Sequence, residues 1–214
     1  LPDAELTRDD VIRFEREARV TGRLAHRNVL YVYEAGKDLE GHPYFTMPYV
    51  PDAETLRDVI AGLQACDRAF EARYPLERRV EIVIQVCEAI QRAHDRGVVH
   101  RDVKPSNVLV GQSGEVLLVD WGLARFEDDA RAARGRTELP TDPEATDPDC
   151  LVGTPVYMAP EQVVGQAVPQ SDVFGLAALL YEFVSLDHYL GEWRDAYTLD
   201  SLLARIVASD RQPC

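Results

Sequence analysis

The stretch HRDVKPSNVLV at residues 100–110 sets a histidine, an arginine, an aspartate, a lysine and an asparagine within eight positions, directly ahead of a β-branched run. Asp102 and Asn107 lie five apart, and Pro105 between them keeps the segment out of a regular helix. A fixed loop, not helical periodicity, must therefore bring the two side chains together. Asp120 follows at the end of VLLVD, just before the turn residue Gly122. Two carboxylates and an amide offer oxygen ligands to a hard cation such as Mg2+. That ion takes one or two protein carboxylates and shares the rest of its shell with water and substrate phosphates. Lys104, beside Asp102, supplies a point charge suited to a phosphoryl group in transfer. Taken singly, each residue reads as a solvated loop charge; the combination describes phosphoryl-transfer chemistry.

Such groups need a scaffold. Asp9 and Asp10 precede VIRFEREARVTGRL, whose Val11, Phe14, Ala18, Thr21 and Leu24 recur at helical spacing. VLYVYEAG and HPYFTMPYV read as two strands joined by a turn around residues 37–41. PDAETL opens a helix with acidic residues in its first turn, where the helix dipole favours them. From Pro75, the residues Leu76, Val80, Val83, Val86, Cys87, Ile90, Ala93 and His94 predict a long amphipathic helix ended by Gly97. NVLV, GQSG and EVLLVD form a short hairpin. Residues 126–150 are charged, proline-bearing and aperiodic, and DVFGLAALLYEFVSL is a buried helix capped by Ser171 or Asp172. A strand-bearing front section thus precedes a mainly helical back section, the two meeting at HPYFTMPYVPD.

With 214 residues and 46% hydrophobic content, the chain can bury a core as one large domain or two small lobes. A net charge of −14 argues against nucleic acid or an anionic membrane as the main partner. No run reaches the roughly 18 apolar residues of a membrane span. Cys66, Cys87, Cys150 and Cys214 show neither metal nor disulfide spacing, which predicts a reducing, cytoplasmic setting with Cys87 packed as a small hydrophobe.

The motifs also resemble a known family. His100-Arg101-Asp102-x-Lys104-x-x-Asn107 is similar to the catalytic loop of protein kinases, Asp120-Trp121-Gly122 to their magnesium-binding turn, and Ala159-Pro160-Glu161 to the motif that closes their activation segment. Five fixed residue types at that spacing arise by chance roughly once in 3 million starting points at ~5% usage each. The resemblance runs from the helix near Glu17 to about Val207. It implies an α+β, two-lobed protein-kinase-like fold. A truncated small lobe, comprising helix C plus two strands, would occupy residues 1–50 with the hinge. A mainly helical large lobe would occupy residues 51–214, with the catalytic loop at 100–107 and the activation segment at 120–161.

The activity implied is that of a bacterial eukaryotic-like serine/threonine protein kinase, which uses ATP and Mg2+ to phosphorylate a protein substrate. By resemblance, Asp102 orients the acceptor hydroxyl and takes its proton, Lys104 stabilises the moving phosphoryl group, and Asn107 and Asp120 hold the metal. Thr154 would bond Asp102 and Lys104. Arg101 would pair with a phosphate added to the activation segment, for which Thr137, Thr141 and Thr146 are candidates. Asp172 would tie down the backbone around His100. In the hinge, Met47 resembles the gatekeeper, with the Pro48 carbonyl and Val50 N–H facing adenine and Leu109 beneath it. Glu15 and Glu17 alternate with arginines, which equally suits a solvated face; the resemblance makes Glu17 the helix-C glutamate that pairs with a strand lysine.

Trp121 departs from the family's phenylalanine, and Thr21 stands where a leucine is common. Tryptophan fills the same apolar slot but needs a partner for its N–H. No glycine-rich phosphate loop occurs, and the only lysines are Lys37 and Lys104. Lys37 is expected in a turn after helix C, and Glu161 lacks its usual arginine partner. The chain therefore reads as a piece of a kinase domain, expected to bind nucleotide poorly alone. Two other readings compete: a pseudokinase or interaction scaffold, and a small-molecule phosphotransferase. The joint presence of Asp102, Asn107 and Asp120 speaks against the first, and Lys104 with GTPVYMAPE against the second.

Overall fold

The computed structural model describes residues 8–39, 41–126, 155–163 and 165–191. α1 (Arg8–Thr21) leads into an antiparallel hairpin of β1 (Glu34–Lys37) and β2 (Pro43–Thr46), with Glu34 opposite Thr46 and Lys37 opposite Pro43. Lys37 is therefore the last residue of a strand rather than part of the turn. The turn closes through Gly41, whose φ of 88° suits a residue without Cβ, and through the Asp38 N–H, which donates to the His42 carbonyl at 2.9 Å. Both strands are shorter than the sequence pattern suggests. Residues 29 and 30 turn to Leu118 instead, through the Val29 bridge and the Leu30 N–H, while the Tyr33 N–H still donates to the Thr46 carbonyl at 2.7 Å. β2 stops ahead of Pro48, which has no N–H to extend a ladder. Phe14 stacks on Phe45 at 4.5 Å and holds α1 against the hairpin.

A three-stranded sheet follows, ordered β3 (Glu54–Thr55), β5 (Val108–Val110), β6 (Val116–Leu118), all antiparallel. α2 (Leu56–Gln64) starts later than PDAETL implies. Thr55 caps it by accepting the Asp58 N–H at 3.2 Å, while the Asp58 carboxylate accepts the Thr55 N–H at 3.1 Å. A short α3 (Arg68–Arg73), which periodicity cannot reveal at that length, precedes α4 (Leu76–His94). On α4 the buried stripe is Ile82, Val83, Val86, Ala89, Ile90 and Ala93; Leu76, Val80 and Cys87 face outward, contrary to expectation. The helix carries apolar residues on two stripes, and only the one facing the rest of the fold is covered.

β4 (Val98–Val99) pairs with β7 (Arg125–Phe126) across loop 100–107, so both ends of the intervening chain are tied together. After a 3-10 turn (Pro155–Tyr157) come α5 (Pro160–Val163) and α6 (Pro169–Ser185). The expected cap at Ser171 or Asp172 lies one turn inside α6. Pro169 occupies the first helical position, and the Ser171 hydroxyl accepts the Val168 N–H at 3.1 Å. Asp172 is thereby freed for another task. α6 packs on α4, and Val20, Leu24 and Val29 join Leu118, Trp121, Leu179 and Phe183 in one continuous core. No helix among the described residues is long and apolar enough to cross a membrane. Phe183 is fully buried, so Phe183→Ala is expected to cost about 3–5 kcal/mol, read as a lower midpoint in urea unfolding.

Candidate active site

Loop 100–107 takes its shape from a carboxylate on α6. Asp172, 1% exposed, accepts the His100 N–H at 2.9 Å and the Arg101 N–H at 2.8 Å, and its Oδ2 lies 2.7 Å from His94 Nε2. Arg101 sits at φ 74°, a left-handed conformation that L side chains resist, and these bonds hold it there. Gln162 braces the same residue: its Nε2 donates to the Arg101 carbonyl at 2.9 Å, while its Oε1 accepts the Ala159 N–H at 3.1 Å. Close approach of α6 requires Gly175, where a Cβ would come within 3.1 Å of Val103 Cβ and 3.2 Å of the Val103 carbonyl oxygen.

His100 is fully buried and stacks edge-on against Trp121 at 4.5 Å. Its Nδ1 accepts the Asp102 N–H at 3.2 Å, so the proton belongs on Nε2, which faces the Val119 carbonyl at 3.3 Å. Burial depresses the His100 pKa below its usual 6.5, against the pull of Asp172, Asp102 and Asp120, and the neutral ring satisfies both bonds. Trp121 is fully buried too. Its indole N–H donates to the Leu118 carbonyl at 3.3 Å, which supplies the partner that a tryptophan in this apolar slot needs. Thr21 is buried and turns its hydroxyl back onto the Glu17 carbonyl at 2.7 Å.

The chemistry-bearing side chains meet on this frame. Lys104 Nζ donates to Asp102 Oδ2 at 2.6 Å, and Asn107 Nδ2 donates to the same oxygen at 3.1 Å and to the Asp102 carbonyl at 2.9 Å. Two acceptors around one end of the Asn107 amide identify that end as nitrogen. Oδ1 then receives no hydrogen bond among the described residues, and a hard cation wants such an oxygen. The Val119 N–H donates to the Asn107 carbonyl at 2.9 Å, setting Asp120 one residue from Asn107 across the strand ends. Asp120 is exposed, with φ 62°. An amide oxygen and an ionisable carboxylate on adjacent strand ends fit Mg2+. Glu17, half-buried on α1, is drawn into the same area. Desolvation raises its pKa above 4.5 and the Asp120 charge adds to this, while a hydrogen bond from the Trp121 backbone N–H works the other way.

The remaining expected residues are scattered around this centre. Glu161 accepts the Ser171 hydroxyl at 2.5 Å. Met47, Pro48 and Val50 lie in the connection between β2 and β3, with Met47 48% exposed, and Leu109 is half-buried on the central strand β5. Thr154 and the candidate threonines 137, 141 and 146 lie outside the described residues. His94 and Gln162 brace the site without a sequence signal of that role, since each resembles an ordinary helix residue until its partner is seen, and Ser171, expected only as a helix cap, also donates to Glu161.

An unfolded chain protonates His100 near 6.5 and the buried ring does so only at lower pH, so the unfolded state binds more protons in between and stability rises with pH there. That contribution is whole above about 6.5 and is lost as the pH falls. Urea unfolding between about pH 5.5 and 7.5 should show a shallower pH slope in His100→Phe than in the parent.

The protein kinase domain family matches residues 3–208. The chain is 34% identical over 183 residues to serine/threonine-protein kinase PknD of Protochlamydia amoebophila, covering 81% of this chain and 18% of that protein. It is 36% identical over 177 residues to the probable serine/threonine-protein kinase PknB of Corynebacterium glutamicum, covering 81% and 24%. A PknD of Chlamydia trachomatis is 33% identical over 187 residues, covering 81% and 20%. The chain thus spans a quarter or less of the length of these relatives. Members of this family generally use ATP and Mg2+. A match across nearly the whole chain, on a fold that gathers Asp102, Lys104 and Asn107 at one point, makes this chain a member of the protein kinase domain family.

Proposed function

We propose that the protein is a serine/threonine protein kinase that transfers the γ-phosphoryl group of ATP to a protein hydroxyl in the cytoplasm. The observation that carries this reading is the Asp102 carboxylate, 4% exposed, gripped by Lys104 at 2.6 Å and Asn107 at 3.1 Å. Phosphoryl transfer asks mainly for in-line positioning and charge neutralisation, and little covalent chemistry. Asp102 would orient the acceptor hydroxyl and take its proton as the new O–P bond forms and ADP departs with the electrons of the broken one. Lys104 would neutralise charge on the phosphoryl group in flight. Asn107 and Asp120 would hold Mg2+, which when bound neutralises phosphate oxygens.

Further roles extend from this core. Residues 1–50 would serve as the smaller, nucleotide-facing part and 51–214 as the larger part. The Pro48 carbonyl and Val50 N–H would meet the adenine edge, with Met47 beside it and Leu109 beneath. Glu17 would await a cationic partner, a role that its desolvated carboxyl and its bond to the Trp121 amide support. Arg101 would receive an activation-segment phosphate, Thr154 would seat the acceptor, and Glu161 and Asp172 would hold the frame. The net charge of −14 favours protein over nucleic acid as substrate.

The test is incorporation of labelled phosphate from Mg-ATP into serine or threonine of an acceptor protein, with the intact protein as enzyme. Asp102→Asn, nearly isosteric, should lower the rate by about 10²–10⁴-fold with nucleotide binding preserved. An undiminished rate in that variant overturns the assignment.

A further inference from the structure

A cleft of about 330 Å3 opens beside loop 100–107, walled by α2 on one side and by the 3-10 turn Pro155–Tyr157 on the other. That size is at the lower end for ligand sites, enough for a side chain or two of an extended peptide rather than for a nucleotide. Its position is decisive, because Lys104 and Ser106 form one wall and Lys104 is bonded to Asp102. A polypeptide presenting a hydroxyl to Asp102 must lay a neighbouring residue in or against this cleft.

Charge then selects that residue. Of the charged side chains lining the cleft, Lys104 is paired with Asp102, and Glu182, 3% exposed, accepts the Tyr157 hydroxyl. Arg57, in the first turn of α2, has no hydrogen bond, ion pair or ring contact among the described residues. Below it, Ile60 is buried and offers an apolar wall to the stem of an incoming side chain. An unengaged guanidinium over such a wall matches a carboxylate, which it can grip through two parallel N–H bonds, and repels a lysine or arginine.

We infer that Arg57 is a specificity-determining residue that favours protein substrates carrying an aspartate or glutamate next to the acceptor serine or threonine. The inference rests on the kinase reading, and the experiment separates the two. The intact protein is given Mg-ATP and a peptide set in which one glutamate is walked through the positions flanking a single acceptor, with glutamine and lysine counterparts. At one position the glutamate peptide should exceed its glutamine counterpart in kcat/KM by about fivefold, the ceiling for a solvent-screened ion pair. Arg57→Glu should invert the preference towards lysine and Arg57→Lys should retain part of it. A purely structural role for Arg57 would move all peptides alike and leave the ratios unchanged. Transfer with unchanged ratios in Arg57→Glu overturns the inference and spares the kinase reading. Absence of transfer to every acceptor overturns both.

Discussion

The Asp172 carboxylate, buried on α6, accepts the backbone N–H groups of His100 and Arg101, which precede it by 72 and 71 residues. Everything at the site is arranged around that contact. A left-handed Arg101 costs about 1–3 kcal/mol, which charge-assisted bonds of about 1.5–3 kcal/mol each can offset. Once the Arg101 backbone is fixed, the chain direction sends Asp102 inward to meet Lys104 and Asn107 and sends the His100 ring under Trp121. His94 on α4 bonds the same carboxylate, so the two longest helices among the described residues, which pack on each other, also set the loop.

The electrostatic pattern follows the same logic. Glu17, Asp102, Asp120 and Asp172 all send their charges towards one small region, with Lys104 paired at its edge and a neutral His100 at its centre. Desolvation, with the Asp120 charge added to it, pushes Glu17 towards its protonated form. A site of this kind is poised to gain from added cations, and the chain itself carries only two lysines. The fold holds these acidic groups on four supports: Glu17 on α1, Asp102 in loop 100–107, Asp120 just beyond β6 and Asp172 on α6.

Much of this was legible in the sequence, and the legible part shares a cause. Motif residues announce themselves because rare combinations of polar types occur at fixed short spacing, as with Asp102, Lys104 and Asn107. The hairpin of β5 and β6 was legible because GQSG interrupts two β-branched runs. The illegible part depends on partners far away in the chain. α4 carries two apolar stripes, and only docking decides that Ile82 and Val86 go inside while Val80 and Cys87 stay outside. The start of α6 was misplaced because Ser171 and Asp172 look like caps, whereas Pro169 opens the helix and Asp172 is spent on loop 100–107. Gln162, which props Arg101, has no local signature at all.

The separation between Asp172 and the loop has a consequence for the life of the chain on the ribosome. A nascent polypeptide that has emerged only through β7 already carries Asp102, Lys104 and Asn107, yet nothing holds Arg101 in its left-handed turn. Contacts between distant segments form late, since closing the intervening chain must come first. Loop 100–107 thus gains this anchor only after α6 has been synthesised and docked, and a nascent chain that ends before Asp172 lacks the carboxylate that holds the backbone of His100 and Arg101.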